Sequence, residues 1–302
     1  MAAMIATLPN KNAGRDTALK LYTGEVIKAF REKNIGLGLI KNREISGGKT
    51  AQFIVTGKAD EADIQTHARG EEVVSTILAN DEVTITVSTR FVHSHFLDTL
   101  DEKLAQYEVR GELAFQSGEV LATKIDKEVF QLVGNDVPAM TPLPGQLAAS
   151  TIVATGYAAA TTAQDKGDVI VASLFEARGV LHTKNVSMEP SVIVAPEDYY
   201  NVVQSTRGVN ADYTNGNGGI DTGKVRQIAG FSLGWTNHLD KTTNSALIAL
   251  MFTKDVAGVV KAMDIQSEAN YDFRRLGFQL TSFYALGMGP LNPTGMIVIN
   301  SD

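Results

Sequence analysis

The sequence predicts an α+β fold. Three observations carry this: one long helical stretch with a continuous apolar stripe, groups of strand-like runs before and after it, and no regular strand–helix–strand alternation of the kind that builds a parallel sheet. The chain has 302 residues, 44% of them hydrophobic and 20% charged, enough for a sizeable core in one large domain or two smaller ones. No repeat of fixed period is visible.

Taken in order, residues 16–33 fit a helix, because Leu19, Tyr22, Val26 and Phe30 recur at three- and four-residue steps. Asp16 is placed to cap it, and Gly36 and Gly38 end the pattern. Two extended runs, 37–45 and 50–56, flank Gly47-Gly48 and read as a two-stranded hairpin with a glycine turn. In the second run Ala51, Phe53 and Val55 alternate with Gln52, Ile54 and Thr56, so neither face is cleanly apolar. Such a ribbon is marginal alone in water and is expected to project and find its packing elsewhere. After a polar stretch at 58–71 come strands at 72–78 and 83–93, and FLDTLDEKLAQ begins a helical region. The strongest helix is 108–133, where Val109, Leu113, Val120, Leu121, Ile125, Val129 and Val133 form one stripe. It would be about 40 Å long.

Residues 137–164 carry no charge and are broken by Pro138, Pro142 and Pro144, the pattern of a small-residue connector or packed surface. A helix follows near 167–184, then a strand (SVIVAP), a short helix (EDYYNVVQ) and an exposed glycine-rich loop at 206–223. Strand-like runs at 226–236, 246–253, 258–269 and 278–285, a Gly/Pro turn and a last strand, MIVIN, complete the pattern.

The formal charge is −7, unevenly spread: residues 1–58 hold ten basic groups against four acids, a balance of +6, which leaves −13 for the remainder. That split suits a basic front end lying on the acidic body of a neighbour. Cysteine is absent, which excludes disulfides, thiolate metal sites and a cysteine nucleophile. The start, MAAMIATLPNK, lacks the basic lead and long apolar run of a signal peptide, and no run of about twenty apolar residues could span a bilayer.

Four motifs invite chemical readings. Gly48-Lys49-Thr50 matches the end of a phosphate loop, but the first glycine of that pattern falls on Arg43, and the following TAQFIV reads as a strand rather than a helix. Ser46-Gly-Gly-Lys49 fits S-x-x-K without the partner motifs that chemistry needs. Gly230-Phe-Ser232-Leu-Gly234 matches the hydrolase elbow, yet the only later histidine is His238 and no acid lies between. His93 and His95 share one face of a strand and could bind a metal with His67, but two histidines without a nearby acid at suitable spacing are poor evidence for a site, and a strand end turning into a helix is the expected reading. No cofactor, metal or catalytic group is expected. A basic helical arm, a projecting ribbon, a long helix and large sheets suit assembly instead.

Four separated segments strengthen that reading: GEVIKAFREKN (24–34), EISGGKTAQFIVTGKA (44–59), YEVRGELAFQSGEVLA (107–122), and the run from Leu247 to Ile299 containing FTKDVAGVVKAMDIQSEANYDFRRLGFQL. In order and spacing the chain resembles the major capsid proteins of tailed double-stranded DNA phages, specifically short-tailed podophages of the autographivirus group. The resemblance implies the tailed-phage major capsid protein fold: an N-terminal arm (1–36), an extended β-hairpin loop (37–82), a peripheral domain with a long spine helix (83–145 and 258–302) and an axial domain (146–257). It implies self-assembly into hexamers and pentamers of an icosahedral shell around a packaged double-stranded DNA genome, in the virion, after assembly in the host bacterial cytoplasm. Scaffolding protein and portal are implied partners, and DNA contact would be weak and non-specific, since a net-negative chain has little bulk attraction for phosphates. No membrane partner is implied. Subunit-contact candidates are Arg43, Lys49, Phe53 and Lys58 on the ribbon, and Glu112, Glu119 and Asp126 on the spine helix of a neighbour. Two other readings compete: an encapsulin-like nanocompartment shell, and a soluble nucleotide-dependent enzyme using Lys49.

Overall fold

The computed structural model describes residues 11–59, 64–67, 69, 70, 72, 73, 75, 77–104, 109–205, 227–239, 241 and 244–302. The loop read at 206–223 lies outside these residues. In chain order the elements are α1 (Lys11–Lys33), α2 (Gly36–Leu39), β1 (Lys41–Glu44), β2 (Thr50–Thr56), β3 (Asn80–Thr86), β4 (Arg90–Asp98), α3 (Thr99–Leu104) and α4 (Val109–Gln131). A π-helical turn at Leu132–Asp136 leads into α5 (Val137–Ala139), β5 (Ser150–Ala154), α6 (Ala163–Thr183), β6 (Ser191–Val194) and α7 (Pro196–Val203). The remaining strands are β7 (Gln227–Ile228), β8 (Phe231–Trp235), β9 (Leu247–Phe252), β10 (Ala257–Asp272), β11 (Gly277–Pro290) and β12 (Met296–Ser301).

The strands form a four-stranded sheet in the order β1-β10-β11-β4, a six-stranded sheet in the order β5-β12-β9-β6-β8-β7, and a two-stranded ribbon, β2-β3. The α+β expectation holds. α4, 23 residues and about 35 Å long, runs along the inner face of the four-stranded sheet. Its buried side includes Ala114, Gly118, Ala122 and Asp126 at four-residue steps, a row of short side chains that lets α1 approach closely. A Cβ on Gly118 would lie 2.6 Å from the Val26 carbonyl oxygen and 2.8 Å from Ala29 Cβ. Tyr22, Val26 and Phe30 of α1 are buried in the same core as Leu121, Ile125 and Val129 of α4. α6 and α7 cover one face of the six-stranded sheet through Ile170, Val171, Leu174, Leu181 and Val202. The other face packs toward the end of α4, where Leu250, Phe252 and Val298 meet Val133 and Val137.

Several expectations are corrected. β1 does not pair with β2: it runs parallel to β10, Lys41↔Gly258 to Glu44↔Lys261, while β2 pairs antiparallel with β3, Thr50↔Thr86 to Thr56↔Asn80. The ribbon is therefore joined by residues 57–79, and Gly47-Gly48 is a bend at its root. The described residues of 72–78 are not in a strand, and 83–93 splits at Val87–Thr89 between the ribbon and the four-stranded sheet. α1 begins at Lys11, placing Asp16 inside the helix rather than at its cap. Val120, counted in the stripe, is exposed because it lies on the side of α4 away from the core. Within the neutral connector, Ser150–Ala154 forms a strand parallel to β12. A turn at Ala229-Gly230 breaks the run 226–236. β12 lies between β5 and β9, so the segment 258–302 is shared between both large sheets.

Candidate assembly surface

The ribbon is held at its root and uncovered beyond it. Ala51, Phe53 and Ile85 are buried together with Val260 and Leu291 of the body. The approach is close because glycines face the root: a Cβ on Gly287 would lie 2.6 Å from the Thr86 carbonyl oxygen, and one on Gly289 would lie 2.9 Å from Ile85 Cγ1. The Gly145 backbone presses on the outgoing leg in the same way, where a Cβ would meet Lys58 N at 2.2 Å. The pairing extends one step past β2, with Gly57 N donating to the Ala79 carbonyl at 2.8 Å. Ile54, on the outer face of β2, is 79% exposed, and in the connection beyond it Val73 is 69% and Ile77 92% exposed. Covering one such side chain is worth about 1.5–3 kcal/mol.

Lys49 sits at the root of this ribbon. Its carbonyl accepts from Val87 N at 2.7 Å, and Thr50 opens β2. Gly48 takes the left-handed conformation with φ +87°. No helix begins here to receive a phosphate. Arg43 lies with its guanidinium 5.8 Å from the Phe53 ring centroid and donates from Nη1 to the Gln52 carbonyl at 2.5 Å, bridging the unpaired flanks of β1 and β2. Phe53 itself is buried in its own subunit, because inward positions of β2 face β10 and the β11 end. Its assignment as a contact for a neighbour is corrected accordingly. Lys49 and Lys58 are exposed.

On α4, Glu112 accepts from Gln116 Nε2 at 2.8 Å, one turn away. Glu119 meets Lys33 Nζ at 3.1 Å with both side chains near 44% exposure. Asp126 is different and is removed from the contact candidates: its side chain is fully buried and engaged within the chain. Its Oδ1 accepts from Asn34 Nδ2 and Gly36 N, each at 2.8 Å, and its Oδ2 accepts from Ile35 N at 3.2 Å. His238 Nδ1 lies 3.0 Å from the same Oδ2. This carboxylate joins the chain after α1, the middle of α4 and the loop after β8. Sequence reasoning missed it, although the four-residue spacing from Gly118 and Ala122 places Asp126 in the buried row.

The other motif residues have structural places. Ser232 is exposed on β8, paired opposite Gln227 of β7, and His238 is engaged by Asp126 and Thr123. His93 and His95 meet edge-to-face on β4 with ring centroids 4.4 Å apart. His93 Nδ1 lies 3.2 Å from Ser117 Oγ, which lies 3.3 Å from Tyr22 OH, so a polar chain links β4, α4 and α1. Burial, and secondarily the neighbouring His95, push His93 below its ordinary value. His67 lies in the segment joining β2 and β3. Among the described residues no group of three or more His, Asp or Glu side chains converges as a metal site. A second buried carboxylate, Asp198, is held by Tyr157 OH and by Lys241 Nζ at 2.7 Å. Burial and Asp198 together hold the Tyr157 phenol well above its ordinary value.

Comparison with known proteins accords with this architecture. The major capsid protein of Escherichia phage T7 is 26% identical over 310 residues, covering 91% of this chain and 89% of that protein. The capsid structure of cyanophage P-SCSP1u superposes with a TM-score of 0.76 at 26% identity, over 89% of this chain and 88% of that one. The mature capsid of bacteriophage PhiM1 gives a TM-score of 0.70 over 89% and 87% of the two chains; at 16% identity this shows the fold alone. The family described as "Gp10A-like: Major capsid protein" matches residues 52–299, a span that takes in nearly all of the ribbon, α4, the strands β4, β10 and β11, and nearly all of the six-stranded sheet. The chain belongs to the Gp10A-like family of major capsid proteins.

Proposed function

We propose that copies of this chain build the hexamers and pentamers of an icosahedral tailed-phage shell around packaged double-stranded DNA, each laying its ribbon across a neighbour. The observation that carries this is the ribbon: its root is docked on its own subunit, while Ile54 on the outer face of β2, and Val73 and Ile77 in the connection beyond it, are uncovered. Head-to-tail contacts of this kind close into rings and shells. The arm is assigned to 1–36, the extended loop to the ribbon and its connection, the peripheral domain to the four-stranded sheet with α4, and the axial domain to the six-stranded sheet with α6 and α7. Arg43, Lys49 and Lys58 are assigned to pair with exposed acids of a neighbour, Glu112 and Glu119. Scaffolding protein and portal are the further partners, and assembly takes place in the host cytoplasm. DNA contact is local and non-specific, given the −7 charge.

Electron microscopy of the purified chain tests the reading. Rings or closed shells are expected, and a persistent monomer under all assembly conditions would overturn it. Substituting Arg43→Glu with Lys49→Glu should weaken assembly; normal shells from that variant would remove the ion-pair assignment while leaving the ribbon contact standing. The enzyme alternative is not favoured, because Lys49 precedes a strand.

A further inference from the structure

The four-stranded sheet has two unlike margins. At one lies β1, four residues long, all exposed, with Lys41, Arg43 and Glu44. Short length and charge blunt such a margin against pairing. At the other lies β4, nine residues long. It pairs with β11 from Gly277↔Asp98 to Ala285↔Arg90 without a register shift, and among the described residues β11 is its one ladder partner. From Phe91 to Leu97 it has no proline, lysine or acid. Its outward face presents Val92, 56% exposed, Ser94, and Phe96, 44% exposed. Nothing in this strand guards against addition of another.

The order of residues in β4 also identifies what would be added. We infer that β4 pairs antiparallel with β4 of a second copy about a twofold axis at Ser94, fusing two four-stranded sheets into one. Folding the strand about Ser94 sets Arg90 opposite Asp98 of the second copy, Val92 opposite Phe96, and Ser94 opposite Ser94, with each unlike pair occurring twice. The outer pairs are opposite charges and the inner ones join an aromatic to a β-branched residue, both favourable cross-strand combinations. Other centres lose this match: about residue 93 Arg90 faces Phe96, and about residue 95 Val92 faces Asp98. The self-complementarity is that of an isologous contact, in which one patch meets its own copy. Arg90 already rests 5.1 Å from the Phe283 ring centroid, on the sheet beside the margin. Asp98 Oδ1 accepts from Leu100 N at 2.7 Å, and Oδ2 is the oxygen assigned to Arg90 of the second copy.

This pairing rests on the self-assembly proposed above, since a shell supplies the twofold axes. The chain has no cysteine, so one introduced thiol reports one position. Across an antiparallel pair the Cα atoms at residue 94 would be about 4.5–5.5 Å apart, within disulfide reach. The two residues 92 would be about 13 Å apart. Ser94→Cys particles, oxidised and run on a non-reducing gel, should give covalent dimers, and Val92→Cys particles should stay monomeric. Well-formed Ser94→Cys shells without dimers, or dimers from Val92→Cys, overturn the pairing alone. Wild-type chains that never assemble overturn the self-assembly reading beneath it. A second variant, Val92→Lys with Phe96→Lys, sets like charges across the axis and should lower particle yield about tenfold or more with an unchanged circular-dichroism spectrum. Full yield from a folded double variant would equally refute the contact.

Discussion

Asp126→Ala is the most informative single change in the subunit interior. The carboxylate is fully buried and holds Asn34 Nδ2, Ile35 N and Gly36 N, with His238 Nδ1 3.0 Å away. Removing it orphans the buried Gly36 N–H, at about 1–3 kcal/mol, and weakens three part-buried groups by less each. The sum should fall near the 3–5 kcal/mol or so typical when one partner of a buried polar pair is deleted. Urea unfolding of the unassembled chain, extrapolated linearly, measures it; the midpoint should drop at a nearly constant slope. His238→Gln, which disturbs only one of the four contacts, should lose about 1 kcal/mol. Glu119→Gln provides the contrast: its pair with Lys33 is exposed, and its loss should cost about 0.5 kcal/mol or less. A loss below about 1 kcal/mol for Asp126→Ala would refute the view that this carboxylate anchors the arm.

Gly118→Val drives a side chain into the Val26 carbonyl and Ala29, so it should lift α1 from α4 and cost about 1–3 kcal/mol by overpacking; hydrogen exchange in residues 22–33 should rise. Phe53→Ala empties the ribbon root and should raise protease cleavage within β2 and β3 while the unfolding midpoint of the body moves little; unchanged cleavage would show that the root is held otherwise. His93 is held below its ordinary value of 6.5, so the unfolded chain takes up its proton first as pH falls. Its contribution is complete above 6.5 and is lost as pH drops through its lowered native value. His93→Asn should flatten that slope in stability measured between about pH 7 and 5.

The helices α4 and α6 were legible from their helical period, and β6, β9 and β12 as short continuous apolar runs buried in the sheet. The ribbon was misread for a physical reason. Two glycines between two extended runs favour a hairpin locally, but β1 finds β10, more than two hundred residues away, and no local signal encodes that pairing. The alternate glycines Gly287 and Gly289 did hold a clue, since glycine at every second strand position marks a backbone crossing close by. Ser150–Ala154 was hidden by its neutral, small-residue surroundings. Of the contact candidates, Arg43, Lys49, Lys58 and Glu112 are exposed and Glu119 is partly so. Phe53 and Asp126 turned inward because each falls on a face that the body covers, which type and charge alone do not reveal.

The two legs of the ribbon enter the body at opposite margins: β1 leads into β2, and β3 leads out to β4, with β10 and β11 between. The ribbon is thus a handle fixed to both sides of a plate. Tension applied to it by a moving neighbour does not peel one strand away hydrogen bond by hydrogen bond. It reaches both flanks together and loads the ladders between them in shear, where many bonds must yield at once. In the proposed shell, a subunit held by this handle would turn as a whole and pass the displacement of one copy on as rotation of the next.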